Sequence, residues 1–422
     1  MSLDQSNAII LRNVRRNLTV NVLDGAAFIF GISMVSRYTV LPLVIEHLSS
    51  ERWLQGLTHA IFYAGWLIPG LFMAPVVASM ARRKPWIMFA TLWERLPYLV
   101  LGLVLLTMPD LPHNTLLVIL FSLYAVYALG SGLTSTAWQD FIARLIPERL
   151  WGTFFGVQSG LGGVLGVGSG LLAGYMFATQ PFPQNFGLLS LTCFGFMVLS
   201  YIFLGLNVEP PQATAPRERL VPFLRGIGPL LKRDNAFRIY LLCRSAIAFG
   251  FTGHGFLTAA ALERFHPPAT QVGIFTGVLL AAQAIANVLL GILADRWGHK
   301  QVLELSTIMG LAALGIALIA PSALWFIPIF ILVGAAQAGY QLAGFTLVFA
   351  FSTPVERPTY IGVANTALAP VAALGPLLAG WLASATNYNT IFGILALIGL
   401  VGLAVLHWRV TAPVRVIMDA NP

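Results

Sequence analysis

The stretch Pro358–Trp408, PTYIGVANTALAPVAALGPLLAGWLASATNYNTIFGILALIGLVGLAVLHW, contains no Asp, Glu, Lys or Arg. Turn chemistry interrupts it once, at Asn387–Asn389. A helix needs about 20 residues to cross the hydrocarbon of a bilayer, so a charge-free run this long reads as two crossings joined by a turn. Residues 150–208, broken at Pro181–Asn185, and 305–355, broken at Pro321–Ser322, read the same way. Residues 53–79, 112–139 and 265–294 hold one clean crossing each. Three more, about 20–45, 86–108 and 238–262, contain charges. The expectation is an all-α integral membrane protein with twelve transmembrane helices.

Composition agrees. The chain is 57% hydrophobic and 9% charged, against roughly 25% charged in soluble proteins. No water-soluble fold hides that much apolar surface, so the lipid bilayer is its solvent. The net charge of +8 does not imply nucleic acid, because the basic residues sit in short clusters between apolar runs. With twelve crossings both termini share a side, and that side carries 19 of the 24 Lys and Arg residues; the other carries two, Arg52 and Arg264. The asymmetry predicts cytoplasmic termini in a cell (inner) membrane. Cys193 and Cys243 lie inside apolar runs and offer neither a disulfide framework nor metal spacing. The polar first 17 residues are not followed by a short apolar stretch with a small-residue cleavage site, so the first apolar segment is expected to stay as a span.

The longest polar stretch between spans, 207–235, divides the chain into an N-terminal bundle (1–206), a cytoplasmic linker (207–235) and a C-terminal bundle (236–422), six spans in each bundle. The halves match at a single shift of 206. Leu171-Leu172-Ala173-Gly174-Tyr175 corresponds to Leu377-Leu378-Ala379-Gly380-Trp381, Phe186-Gly187 to Phe392-Gly393, and Gly156-Val157 to Gly362-Val363. Three matches in register favour a parallel duplication, which places a solute site near the midplane between the halves.

Between spans eight and nine lies Gly291-Ile-Leu-Ala-Asp295-Arg296-Trp-Gly298-His-Lys300. It resembles the G-x-x-x-D-R-x-G-R-K loop signature of the major facilitator superfamily. Here Gly291 would let two helices approach closely. Asp295 would pair with a basic group or cap the next helix. Gly298 would permit a tight turn, and Arg296 and Lys300 would hold the cytoplasmic face. The corresponding loop after span two, Pro75 to Lys84, keeps the spacing and the basic end (Arg82, Arg83, Lys84) but has Ser79 in place of the acid. The resemblance implies a secondary transporter that moves a small solute by alternating access, as a monomer and without a cofactor. Span five has glycines at 166, 168, 170 and 174 but lacks the Gly-Pro pair of antiporter members.

Ionisable groups inside spans are expensive and each asks for a reason. Asp24, placed about four residues into span one, is either a proton carrier or an acid favoured by a helix N-terminus. Arg244 lies at a comparable depth in span seven and is a candidate gate partner of Asp24. Arg37 is a candidate for an anionic solute group or a snorkelling cation. Glu94 and Arg95 read as a structural pair. Asp140 and Arg144, four apart, share a face and are candidates for a gate contact with the 82–84 loop. His254, between two glycines, is a pH-responsive ligand or a structural histidine. Gln337 and Gln341 share a face of span ten and are the preferred solute-site pair over Gln283 and Asn287, with interhelical hydrogen bonding as the alternative.

No P-loop, dinucleotide fingerprint or hydrolase elbow is present in the sequence. ATP-driven pumping, enzymatic catalysis and a metal site are therefore not expected. The favoured function is secondary transport, with proton-coupled efflux of an uncharged or amphipathic compound as its specific form. An ion-independent uniporter and a non-transporting receptor or scaffold are the alternatives.

Overall fold

The computed structural model describes residues 3–37, 40–49, 53–212, 214, 216, 219–267 and 269–411. Arg52, Arg217 and Arg415, which count among the basic residues above, lie outside the described residues. Among the described residues every regular element is helical. Among the described residues, twelve helices are long and apolar enough to cross a membrane. Spans one to six are Ala8–Met34, Ala60–Ala78, Lys84–Thr107, His113–Leu145, Glu148–Thr179 and Gln184–Gly205. Spans seven to twelve are Asn235–Phe265, Gly277–Trp297, His299–Ile319, Ala323–Phe351, Arg357–Ala383 and Tyr388–Arg409.

The breaks follow local chemistry. Asn387 caps span twelve by accepting from the Thr390 N–H at 2.9 Å. Ser322, in extended backbone, stops the chain before span ten. Gly298 takes φ 112° between spans eight and nine, a region open to glycine at little cost.

Span one departs from expectation. Its helix begins at Leu3, so Arg12, Arg15 and Arg16 ride on the helix instead of a free tail, and Asp24 is deep in the span. The reason is a strap formed by the start of the interbundle segment. Ser6 Oγ donates to Pro211 O at 2.9 Å, Asn17 exchanges hydrogen bonds with the Val208 backbone at 3.0 and 3.1 Å, and Asn21 does so with Asn207 at 2.6 and 3.1 Å. These partners satisfy polar groups that would otherwise favour an unwound end.

The end of the molecule carrying Ser79–Arg83, Ile146–Pro147 and Gly298 is called the basic end below. There the halves touch along two seams. On one, Gly156 of span five sits over the Asn287 carbonyl and Gly291 of span eight. On the other, Gly362 of span eleven lies against Gly70, Leu71 and Ala74 of span two. Gly156 and Gly362 are the residues related by the shift of 206, so each half contributes one small residue to each seam where backbones approach most closely. Towards the opposite end the seam between spans five and eight opens: a Cβ on Gly170, Gly174 or Gly277 would meet nothing within 4 Å.

Candidate functional site

The basic end is held by two unlike constructions. In the first, the Asp295 carboxylate accepts from the backbone N–H groups of Gly152 (2.7 Å) and Thr153 (2.6 Å). These are free donors in the first turn of the helix Trp151–Thr179, in the other half. Charge, helix dipole and hydrogen bonding act together here. Asp295 therefore caps a helix of the opposite half, and the helix that follows it, His299–Ile319, has no side-chain cap. The backbone approach that makes this possible depends on Gly291, whose Cβ, were there one, would collide with the Gly152 carbonyl. Lys300 Nζ donates to the His407 carbonyl at the end of span twelve, 3.0 Å away, and lies 3.3 Å from Glu304. Arg296 is exposed.

The second construction has no acid at the matching place. Ser79 Oγ donates to Val76 O at 2.8 Å, a contact within its own turn. Arg83 instead turns inwards: its Nε donates to Asp140 Oδ2 at 2.7 Å, and Arg144 Nε donates to the same oxygen at 2.7 Å. Arg144 then crosses to the other half, with Nη2 donating to Pro354 O at 3.0 Å and Nη1 to Gln212 Oε1 at 3.0 Å. Burial pushes the Arg83 guanidinium below its ordinary value, with Asp140 opposing. Arg82 is exposed. Lys84 Nζ donates to Asn207 O at 2.9 Å and to Gly205 O, at the end of span six. Lys84 and Lys300 thus do the same work in the two halves, each holding the last carbonyls of its bundle's sixth span.

Glu209 completes the second construction and was not legible as a site residue. Its carboxylate accepts from the Arg83 N–H (2.7 Å) and the Lys84 N–H (2.9 Å), capping the start of span three. Burial raises it above the usual carboxylate value, and those two N–H groups oppose the rise.

The interior polar residues are placed as follows. Asp24 does not meet Arg244. Its Oδ1 accepts from Ser200 Oγ of span six at 2.6 Å, and Ser200 Oγ accepts from Arg95 Nη2 at 3.0 Å. Arg95 also donates to the Met197 and Thr91 carbonyls and to Thr91 Oγ1, and lies 3.9 Å from Glu94. Asp24, Glu94, Arg95 and Ser200 are all buried, so this cluster lies inside the first bundle. The explanation of Asp24 by a helix N-terminus falls, since the helix starts far away at Leu3.

Arg244 is buried against span ten, between the Tyr340 and Phe345 rings. Arg37 lies beyond the end of span one, its guanidinium 3.9 Å from the centre of the Phe62 ring. His254 sits on a 3₁₀ break, Thr252–Phe256, in span seven. Its Nε2 is 3.0 Å from Gly310 O of span nine, within the second bundle. Of the flanking glycines, Gly253 packs on Leu314 and Leu395, whereas Gly255 is exposed and a Cβ there would meet nothing within 4 Å. Gln341 is exposed and Gln337 half-buried on span ten. Between the halves, Phe155 faces Trp138 on one side and Phe345 and Phe349 on the other, with ring centres 6.2–6.3 Å apart. These rings floor the open part of the seam.

Comparison with known proteins gives a consistent result. The family model of the Major Facilitator Superfamily matches residues 240–417. An uncharacterized MFS-type transporter of Bacillus subtilis (strain 168), YfkF, is 22% identical over 375 residues, covering 84% of this chain and 85% of the relative. Among solved structures, the transporter FucP in its outward conformation superposes with a TM-score of 0.73 at 15% identity, over 93% of this chain and 98% of that one. A bacterial homologue of the iron transporter ferroportin, in an outward-facing state, gives 0.70 at 16% identity, over 92% and 98%. At such identities the structural likeness carries the fold alone.

Proposed function

We propose that the chain, whose residues 240–417 match the family model of the Major Facilitator Superfamily, is a proton-coupled secondary transporter exporting a small uncharged or amphipathic compound by alternating access. The observation that carries the reading is the pair of seams: held at the basic end by Asp295 on one and Arg144 on the other, with the span five–span eight seam parted towards Gly170, Gly174 and Gly277. Rocking the halves about the aromatic floor would close one end and open the other. In this reading the basic end faces the cytoplasm of a cell with an inner membrane, and the protein acts as a monomer. The Trp138, Phe155 and Phe345 floor supports a compound with an apolar body.

The Asp24 cluster supports proton coupling. Two carboxylates, Asp24 and Glu94, share one guanidinium, that of Arg95. Such a buried group is neutral only with one proton aboard, and a buried unbalanced charge is costly. Ser200 links Asp24 on span one to Arg95 on span three through span six, so a proton gained or lost there would change how three helices are held.

The test starts with a thermal-shift screen to find a ligand, followed by flux in proteoliposomes. A proton gradient should drive the wild type. Asp24→Asn should lose gradient-driven accumulation and keep exchange of internal for external solute. Flux indifferent both to the gradient and to Asp24→Asn contradicts the coupling.

A further inference from the structure

Arg244 is a buried arginine whose expected acid is committed elsewhere. It is 4% exposed. Arg83 has Asp140 at 2.7 Å, and Arg95 has Glu94 at 3.9 Å and reaches Asp24 through Ser200. Among the described residues, no Asp or Glu forms an ion pair with Arg244. Its Nε is buried and makes no hydrogen bond.

The surroundings form a built site. The guanidinium lies on the bare backbone of Gly344, where a Cβ would come within 2.6 Å of Nη2. The Tyr340 and Phe345 rings flank it at 5.9 and 6.0 Å. Its polar neighbours are the Tyr240 and Tyr340 hydroxyls. Both hydroxyl protons are spent on other acceptors, Tyr240 on Gly344 O (3.0 Å) and Tyr340 on Arg244 O (3.1 Å). Each tyrosine can therefore only accept from the guanidinium, and five N–H donors are more than two hydroxyl oxygens use. A buried cation with spare donors, a planar fork and no counter-ion is the chemistry that recognises a carboxylate, sulfonate or phosphate. Gln341 and Gln337 stand on the same face of span ten as Gly344, ~4.5 and ~10.5 Å further from the basic end. They make a polar lane from the parted end of the seam towards Arg244.

We propose that Arg244 binds the anionic group of the transported compound, with Tyr340 and Phe345 against its apolar body. This rests on the transport reading above and narrows its substrate class to amphipathic anions. The Phe155–Phe345 contact closes the site on the basic side, so the anion would be released there only when the halves part.

Binding is measured by thermal shift on purified protein, apart from transport. The probes are a panel of aryl and alkyl monocarboxylates, their uncharged carboxamides, and phosphatidylglycerol as a lipid phosphate. Carboxylates should stabilise the wild type and carboxamides should bind at least tenfold more weakly. Arg244→Gln, which breaks no internal ion pair, should fold and lose about ten- to hundredfold in carboxylate affinity, with less than about twofold change for carboxamides. Arg244→Lys should fall between. Equal response of Arg244→Gln and wild type to the carboxylates, no carboxylate response at all, or a response to the lipid alone overturns the proposal. Arg244-dependent binding without flux of any probe would leave the anion site standing and defeat the transport reading instead.

Discussion

The two loops at the basic end, 291–300 and 75–84, occupy equivalent places in the two halves and stand at the two seams, which are closed by different physics. The second-half loop uses one carboxylate on two backbone donors of the opposite half. The first-half loop buries a carboxylate between two arginines and sends one of them across to a carbonyl. The difference is written at both partners of the missing contact. Ser79 stands where Asp295 does, and Pro358, at the shift of 206, stands where Gly152 does. Proline has no N–H to give, and the N–H of Thr359, the counterpart of Thr153, already bonds Glu356 O at 2.9 Å. Acceptor and donors disappeared together, and the Arg83–Asp140–Arg144 group occupies the gap. The lesson is that a duplicated fold preserves the place of a lock more strictly than its chemistry.

The comparison can be broken most forcefully at Asp140. Asp140→Ala strands two buried guanidiniums, and losing one partner of such a group costs about 3–5 kcal/mol. The purified variant should show a large drop in melting temperature; a wild-type melting curve would mean that the trio is not a unit. Asp295→Ala comes next. It removes a charged cap worth about 1–3 kcal/mol, and the loss should appear in the balance between closed and open forms of the basic end more than in melting.

Ser79→Asp sharpens the account in the other direction. Alone it should change little, because Pro358 offers no donor. With Pro358→Gly, which supplies an N–H, the pair should stabilise the closed basic end by about 1 kcal/mol. A full effect from Ser79→Asp alone would disprove the explanation by missing donors. Glu209 gives the smallest effect. Because burial holds its carboxyl above the ordinary value, its contribution is fully present below that ordinary value and declines as pH rises through the raised one. Glu209→Gln should flatten that shallow slope of stability against pH; an unchanged slope would remove Glu209 from it.

Much of this was legible in the residues. Charge-free runs with single Asn or Pro interruptions mark the crossings, because lipid demands long apolar helices. Three things were not legible. The start of the first helix at Leu3 is hidden in the sequence, because Arg12, Arg15 and Arg16 look like a solvated tail and the asparagines that tie the helix to residues 207 and 208 carry no pattern. Topology makes Arg244 a candidate partner of Asp24, whereas a lone serine in an apolar run, Ser200, is what Asp24 meets. The target of Asp295 could not be read because its donors are main-chain groups that no side chain announces.

The most direct test of the central claim, that the Asp295 cap on span five holds the basic end shut, is a distance measurement. Spin labels placed at the exposed positions 82 and 296, one in each half, report the separation of the two loops, with buried Cys193 and Cys243 left in place. The wild type should give one short distance, and Asp295→Ala should add a longer population. A folded Asp295→Ala protein with an unchanged distance distribution would contradict the account.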